Sequence, residues 1–156
     1  MNIHRWVAAL FLLMTGCGST SGDGELIAVS SDQDGDWDIV VVDLDRGIAL
    51  PLSVNRAFDW GPKWSPDGSR LAFASDFVSG EIEQILIFEE GSTKAISQEI
   101  TGHQEIALMA ADGSDLEQIT NSPSTDSSPS WSPDGTKLAF DSDRSGNLDV
   151  YVMDVD

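Results

Sequence analysis

From residue 25 onward the chain is a succession of short apolar runs divided by clusters of Gly, Pro, Ser and Asp. Ile39–Val42, Leu71–Phe73, Ile106–Met109, Leu138–Phe140 and Val150–Met153 are each three or four residues long. Such runs are too short for helices, and they lack strict apolar/polar alternation, which predicts strands covered on both faces. Further strands are predicted at Ile48–Leu52 and Leu116–Thr120. Beyond the N-terminal segment, no stretch combines a helical period with caps. The pattern is that of an all-β protein.

The runs recur in a fixed order. Pro62-Lys63-Trp64-Ser65-Pro66-Asp67-Gly68-Ser69-Arg70-Leu71-Ala72-Phe73 returns as Pro129-Ser130-Trp131-Ser132-Pro133-Asp134-Gly135-Thr136-Lys137-Leu138-Ala139-Phe140, with nine of twelve positions identical. Both copies run on to Ser-Asp, at Ser75-Asp76 and Ser142-Asp143, and a partial earlier copy ends at Ser31-Asp32. A second block follows each: Asp38–Asp45, Glu105–Asp112 and Asp149–Asp156. The gap from Asp to block is six residues in the outer units and 29 in the middle one, an insertion of 23 residues. The Asp32–Asp76 and Asp76–Asp143 spacings, 44 and 67, differ by the same 23, so two independent anchors fix one register.

Within each repeat, Ser-Pro-Asp-Gly has the preferences of a type I turn: Ser first, Pro presetting φ, Gly last. A period near 44 residues holding four short strands is the signature of a propeller blade. The expected fold is therefore a partial β-propeller of about three four-stranded antiparallel blades over residues 25–156, the second blade carrying the insertion at about 77–102. The first blade is expected to lack its first strand and the third to stop at Asp156 before its last. Propellers usually close with four or more blades. Three therefore imply a fragment of a longer reading frame, or a homo-oligomer that completes the ring.

Trp-Ser-Pro-Asp-Gly, then Leu-Ala-Phe-x-Ser-Asp, then an apolar strand ending in Met-Asp, resembles the WD40-like propeller repeats of the TolB family. Similar repeats form the propellers of prolyl-oligopeptidase-type peptidases. The resemblance implies a non-catalytic binding or scaffold module that meets a protein partner in the bacterial cell envelope. It also implies an alternative, an orphaned or truncated propeller domain of such a peptidase or of a glycan hydrolase. TolB propellers are usually accompanied by a helical N-terminal domain, and no such domain is expected in this sequence.

The N-terminus changes the picture of where the chain works. Trp6–Met14 is a nine-residue apolar run after a short segment bearing Arg5, too short to span a bilayer and suited to a signal peptide over residues 1–16. It leads into Met14-Thr15-Gly16-Cys17 and a Gly/Ser-rich stretch to Gly24, which resembles a lipoprotein signal with Cys17 as the lipidated residue and 17–24 as a flexible tether. Cys17 is the single Cys, so no disulfide forms within the chain. These features predict export and a lipid anchor in the cell envelope; by resemblance, Gly18 after the Cys favours the outer membrane, facing the periplasm or the cell surface.

Charge narrows the partners. With 8 basic and 27 acidic residues the formal charge is −19, which repels nucleic acid and favours basic protein surfaces or divalent cations. Asp32, Asp34, Asp36 and Asp38 alternate around Gly35 and could offer oxygen ligands to calcium. The matching third-unit loop, 143–149, keeps the end Asp residues and the Gly but replaces the middle acids with Ser145 and Asn147, which favours a turn-forming role for the shared positions. No other cofactor is expected. Trp64 and Trp131 are expected to pack between blades, while Pro66, Asp67, Gly68 and Pro133, Asp134, Gly135 shape the repeat turns. No Gly-x-Ser-x-Gly elbow is present, and only His103 lies outside the signal segment, so no triad or His-based zinc site is expected. The insertion is a natural partner-binding element, because propellers carry function on loops.

Overall fold

The computed structural model describes residues 17–18, 25–33, 35–76 and 103–155. The signal segment, residues 19–24 of the tether, Asp34, the insertion at 77–102 and Asp156 lie outside the described residues. Among the described residues eleven strands form three antiparallel sheets, and there is no helix. The first blade is β1 (Cys17–Gly18), β2 (Leu26–Ser31), β3 (Asp38–Asp43) and β4 (Ile48–Pro51), hydrogen-bonded in that order. The second is β5 (Asp59–Trp64), β6 (Arg70–Ser75), β7 (Glu105–Ala110) and β8 (Glu117–Gln118). The third is β9 (Asp126–Trp131), β10 (Lys137–Ser142) and β11 (Asp149–Asp154), with β10 in the middle and β11 at one edge.

One expectation is corrected by β1. The first blade does have an inner strand: Cys17 stands opposite Ile27 and Gly18 opposite Leu26. Cys17 thereby takes the register position that Trp64 holds opposite Leu71 and Trp131 holds opposite Leu138. Ladder bonds are made by the backbone, so residues outside the repeat pattern can still pair.

The core follows from the two-residue alternation of strands. In the middle blade Leu71, Phe73, Ala107 and Met109 point one way and meet Ala28, Ile39 and Val41 of the first blade. Ala72, Ile106 and Leu108 point the other way and meet Leu138, Phe140 and Val155 of the third. Both faces of the middle blade are buried, which is why its strands read as continuous apolar runs.

Trp64 is 8% exposed within the first interface, and Trp131 packs half-buried against the second. The Trp131 Nε1 donates to the Lys63 carbonyl across the blade boundary at 3.1 Å, and the Arg70 guanidinium lies 5.1 Å above its ring. Trp64 Nε1 is buried with no partner among the described residues.

The repeat turns are held by side chains as well as by backbone. Gly68 N–H donates to Ser65 O, and Gly135 N–H to Ser132 O, both at 2.9 Å, with both glycines at φ near +70°. Asp67 Oδ1 accepts from the Ser65 hydroxyl at 2.6 Å and the Ser69 amide at 3.1 Å; Asp134 does the same with Ser132 and Thr136. These bonds, the serine hydroxyls foremost, hold both carboxyls down at about 2. Gly61 and Ser128 occupy equivalent bulges in β5 and β9, each at positive φ, +66° and +56°.

Candidate functional site

At the end of the blades opposite the Ser-Pro-Asp-Gly turns, each unit gathers carboxylates. Asp38 and Glu105 begin β3 and β7 and are buried, as are Asp59 and Asp126, which begin β5 and β9. A buried carboxylate needs partners to offset desolvation, and the sequence supplies them from Ser and Thr.

Two residues beyond the outer strand of each completed blade stands such a partner. Ser53 Oγ accepts the Ile39 amide at 2.8 Å and faces Asp38 Oδ1 at 3.4 Å. Thr120 Oγ1 accepts the Ile106 amide at 2.8 Å and donates to Glu105 Oε2 at 2.6 Å. The carbonyls of Ile39 and Ile106 each accept two successive amides of the same outer segments, Leu52 and Ser53 in one blade, Ile119 and Thr120 in the other. The other oxygen of Glu105 accepts the Ser122 amide at 2.8 Å.

A second carboxylate pair sits on the inner strands. Asp59 accepts from Ser75 Oγ at 2.5 Å and Asn55 Nδ2 at 3.0 Å. Burial pushes its carboxyl above the usual range, against hydrogen bonds that pull it down, and nearby Asp76 adds to the rise. The matching Asp126 is fully buried and paired with Arg144 at 2.7 Å. That guanidinium also lies over the Phe140 and Tyr151 rings, 5.3 and 4.6 Å from their centroids. Blade joins repeat here too: Asp59 N–H donates to Trp37 O at 2.7 Å, and Asp126 N–H to Gln104 O at 2.6 Å. Trp37 and Trp60 meet edge to face across the first join, 5.3 Å between centroids.

The sequence-predicted positions divide between the two ends. Trp64, Trp131, Pro66, Asp67, Gly68, Pro133, Asp134 and Gly135 lie in the inner strands and turns, away from this site. Of the acidic loop, Asp34 is outside the described residues, Asp32 is exposed, Asp36 is half-buried and Asp38 is engaged with Ser53. Among the described residues no three His, Cys, Asp or Glu side chains gather as a metal site. Sequence reasoning missed Ser53, Thr120, Asp59, Asp126 and Arg144. The signal available for the first pair was an apolar residue followed by Ser or Thr after each second block, at Leu52-Ser53 and Ile119-Thr120.

Chemically, the buried carboxylates make folding contacts with Ser, Thr, Asn and Arg, and Asp126 Oδ1 alone among their oxygens is buried without a partner among the described residues. What faces water at this end carries more acid than base: Asp32, Asp143 and Asp149 are exposed beside the exposed Arg56, Arg144 and His103, with Asp36 and Asp76 half-buried. Such a surface suits a basic partner.

Comparison with known proteins agrees with this architecture. The family profile described as the TolB beta propeller domain matches residues 87–156. A TolB homolog of Chlorobium luteolum is 33% identical over 97% of this chain and 39% of its own length. The Tol-Pal system protein TolB of Bordetella pertussis is 31% identical over 61% of this chain and 27% of its own length. The solved structure of TolB from Acinetobacter baumannii superposes with a TM-score of 0.62 at 24% identity, over 83% of this chain and 27% of that one, and shows the shared fold. The chain thus spans well under half the length of these relatives. Its sheets, its repeat register and these likenesses identify it as a chain of TolB-type β-propeller repeats.

Proposed function

We propose that this chain is a non-catalytic propeller module of the bacterial cell envelope that binds a protein partner, in the manner implied by its Tol-Pal relatives. The observation that carries this reading is the state of the buried carboxylates. Asp38, Glu105, Asp59 and Asp126 are each tied to a hydroxyl, amide or guanidinium of the fold, and so serve as struts, not as acids or bases. General acid–base work needs a group within reach of a substrate proton, and these groups face inward. The exposed remainder is an anionic surface on a stack of rigid sheets, a form suited to recognition.

Export and anchoring belong to the same proposal. Cys17 carries a lipid. The mass of the N-terminal peptide from membrane-extracted protein tests this.

The direct test of partner binding is calorimetric titration of the purified chain with the other proteins of the Tol-Pal system at two salt concentrations. The expected result is saturable binding that weakens as salt rises, because an anionic surface of this charge meets a basic one. Absence of binding by a folded chain, or binding indifferent to salt, overturns the reading.

A further inference from the structure

Two tryptophans outside the repeat positions meet where the first and second blades join, at the end opposite the Ser-Pro-Asp-Gly turns. Trp64 is 8% exposed within the stack, whereas Trp60 is 38% exposed and Trp37 is half-buried. Their ring centroids lie 5.3 Å apart with the planes at 71°, so two indole faces border one corner. Phe58 and Val54, both exposed, extend the apolar patch along the segment that leads from β4 into β5. Both blades that meet here carry four strands, so the patch is bordered by finished sheets. The backbone under it is fixed before any partner arrives. Asp59 N–H donates to Trp37 O at 2.7 Å, and Gly61 N–H, next to Trp60, donates to Ser30 Oγ at 3.0 Å. Asn55 Oδ1 accepts the Ala57 amide and Asp76 Oδ1 accepts the Phe58 amide, both at 2.5 Å. Little is then left to order on binding.

Charge selects what such a corner takes. Asp32 and Asp36 lie in the Trp37 loop and Asp76 stands beside Phe58, the first exposed and the other two half-buried; Arg56 is the one base in these segments. An indole face attracts a cation more strongly than any other side-chain ring, and carboxylates alongside add to the pull. The molecule shows this chemistry satisfied from within elsewhere. The Arg144 guanidinium lies over the Phe140 and Tyr151 rings while it pairs with Asp126, and Arg70 lies over Trp131. At the first join the rings and the acids are exposed together.

We propose that the Trp37–Trp60 corner seats an arginine side chain of a partner polypeptide. The guanidinium lies over the exposed Trp60 face with Asp32 and Asp36 as its counter-ions, and Phe58 and Val54 receive an adjoining apolar residue of the same segment. A planar guanidinium suits this place better than an ammonium, because it stacks on a ring and sheds water more readily. The inference rests on the protein-binding reading for the class of partner, and adds the surface and the residue that it takes.

The test uses the full chain and a fluorescent Gly-Arg-Leu-Arg-Gly peptide, read by anisotropy, with urea unfolding to show that each variant is folded. Saturable binding is expected. Trp60→Leu, which keeps an apolar side chain and removes the ring, should weaken it about fivefold, the loss of one exposed cation–π contact. Trp60→Phe keeps a ring and should recover part of that loss. Asp36→Asn should weaken binding and flatten its salt dependence, while Asp45→Asn, exposed at the opposite end, should leave it unchanged. No saturation up to about 1 mM, equal affinity of the unaltered chain and Trp60→Leu, or an equal loss in Asp36→Asn and Asp45→Asn overturns the proposal. If the Tol-Pal proteins bind the chain and Trp60→Leu equally well, the surface is wrong and the protein-binding reading stands.

Discussion

Replacing Thr120 by Val keeps the shape of the side chain and removes one hydroxyl. In the structure that hydroxyl accepts the Ile106 amide at 2.8 Å and donates to Glu105 Oε2 at 2.6 Å, and all three residues are buried. A hydrogen bond to a charged group contributes roughly 1.5–3 kcal/mol, and a buried donor left without a partner costs roughly 1–3 kcal/mol. Glu105 keeps its bond from the Ser122 amide, which lessens the loss on the carboxylate side. Thr120→Val should therefore destabilise the fold by about 3 kcal/mol, a large share of the roughly 5–15 kcal/mol of a typical domain. Urea unfolding followed by tryptophan fluorescence measures it, with the slope unchanged if the native contacts are otherwise kept. Thr136→Val is the matched control, because that hydroxyl lies in an exposed turn; it should cost no more than about 0.5 kcal/mol. Equal effects of the two substitutions would refute the idea that the Ser/Thr of the outer strand locks each blade.

Three further predictions follow from the packing. Phe73→Ala, at a fully buried position facing the first blade, should cost about 3–5 kcal/mol, whereas Val152→Ala on the bare face of the third blade should stay within about 0.5 kcal/mol, both by urea unfolding. Ser128→Gly should raise stability by about 0.5–1 kcal/mol, because φ +56° strains a residue with a Cβ and the equivalent bulge in β5 already uses Gly61; a fall in Tm would contradict this. Asp67 and Asp134 are held at about 2, below the ordinary 3.8, so their contribution is present above pH 4 and lost as pH falls from 4 towards 2. Asp59, raised by burial, works in the opposite sense just above pH 3.8, where protonation favours the fold. An acid titration followed by circular dichroism should show the loss between pH 4 and 2, made shallower in the Asp67→Asn, Asp134→Asn double variant.

The repeat was legible because Trp-Ser-Pro-Asp-Gly and Leu-Ala-Phe combine turn geometry with burial, and both constraints act on residue type. The blade order and the place of the insertion were legible in two anchors, the Ser-Asp pairs and the second block that follows each. β1 was not legible, since Cys17–Gly18 pairs through its backbone and owes nothing to side-chain pattern. The locking hydroxyls were hidden for a different reason. Ser53 and Thr120 follow the short outer strands β4 and β8, and a hydroxyl in a polar segment reads as loop until its carboxylate partner, fifteen positions away in both blades, is placed beside it. Arg144 was likewise unreadable, because its role depends on Asp126 meeting it across the β9–β10 pair.

Amide hydrogen exchange by mass spectrometry on the intact chain tests most directly whether the blades stack in this order with the third left open. Among the described residues the middle blade is covered on both faces and its β7 is paired on both edges, while β11 has an exposed face and one unpaired edge. The prediction is slowest exchange in β6 and β7, with β11 exchanging fastest among the six-residue strands at the outward amides of Val150 and Val152. Equal protection of β3, β7 and β11 would contradict the account.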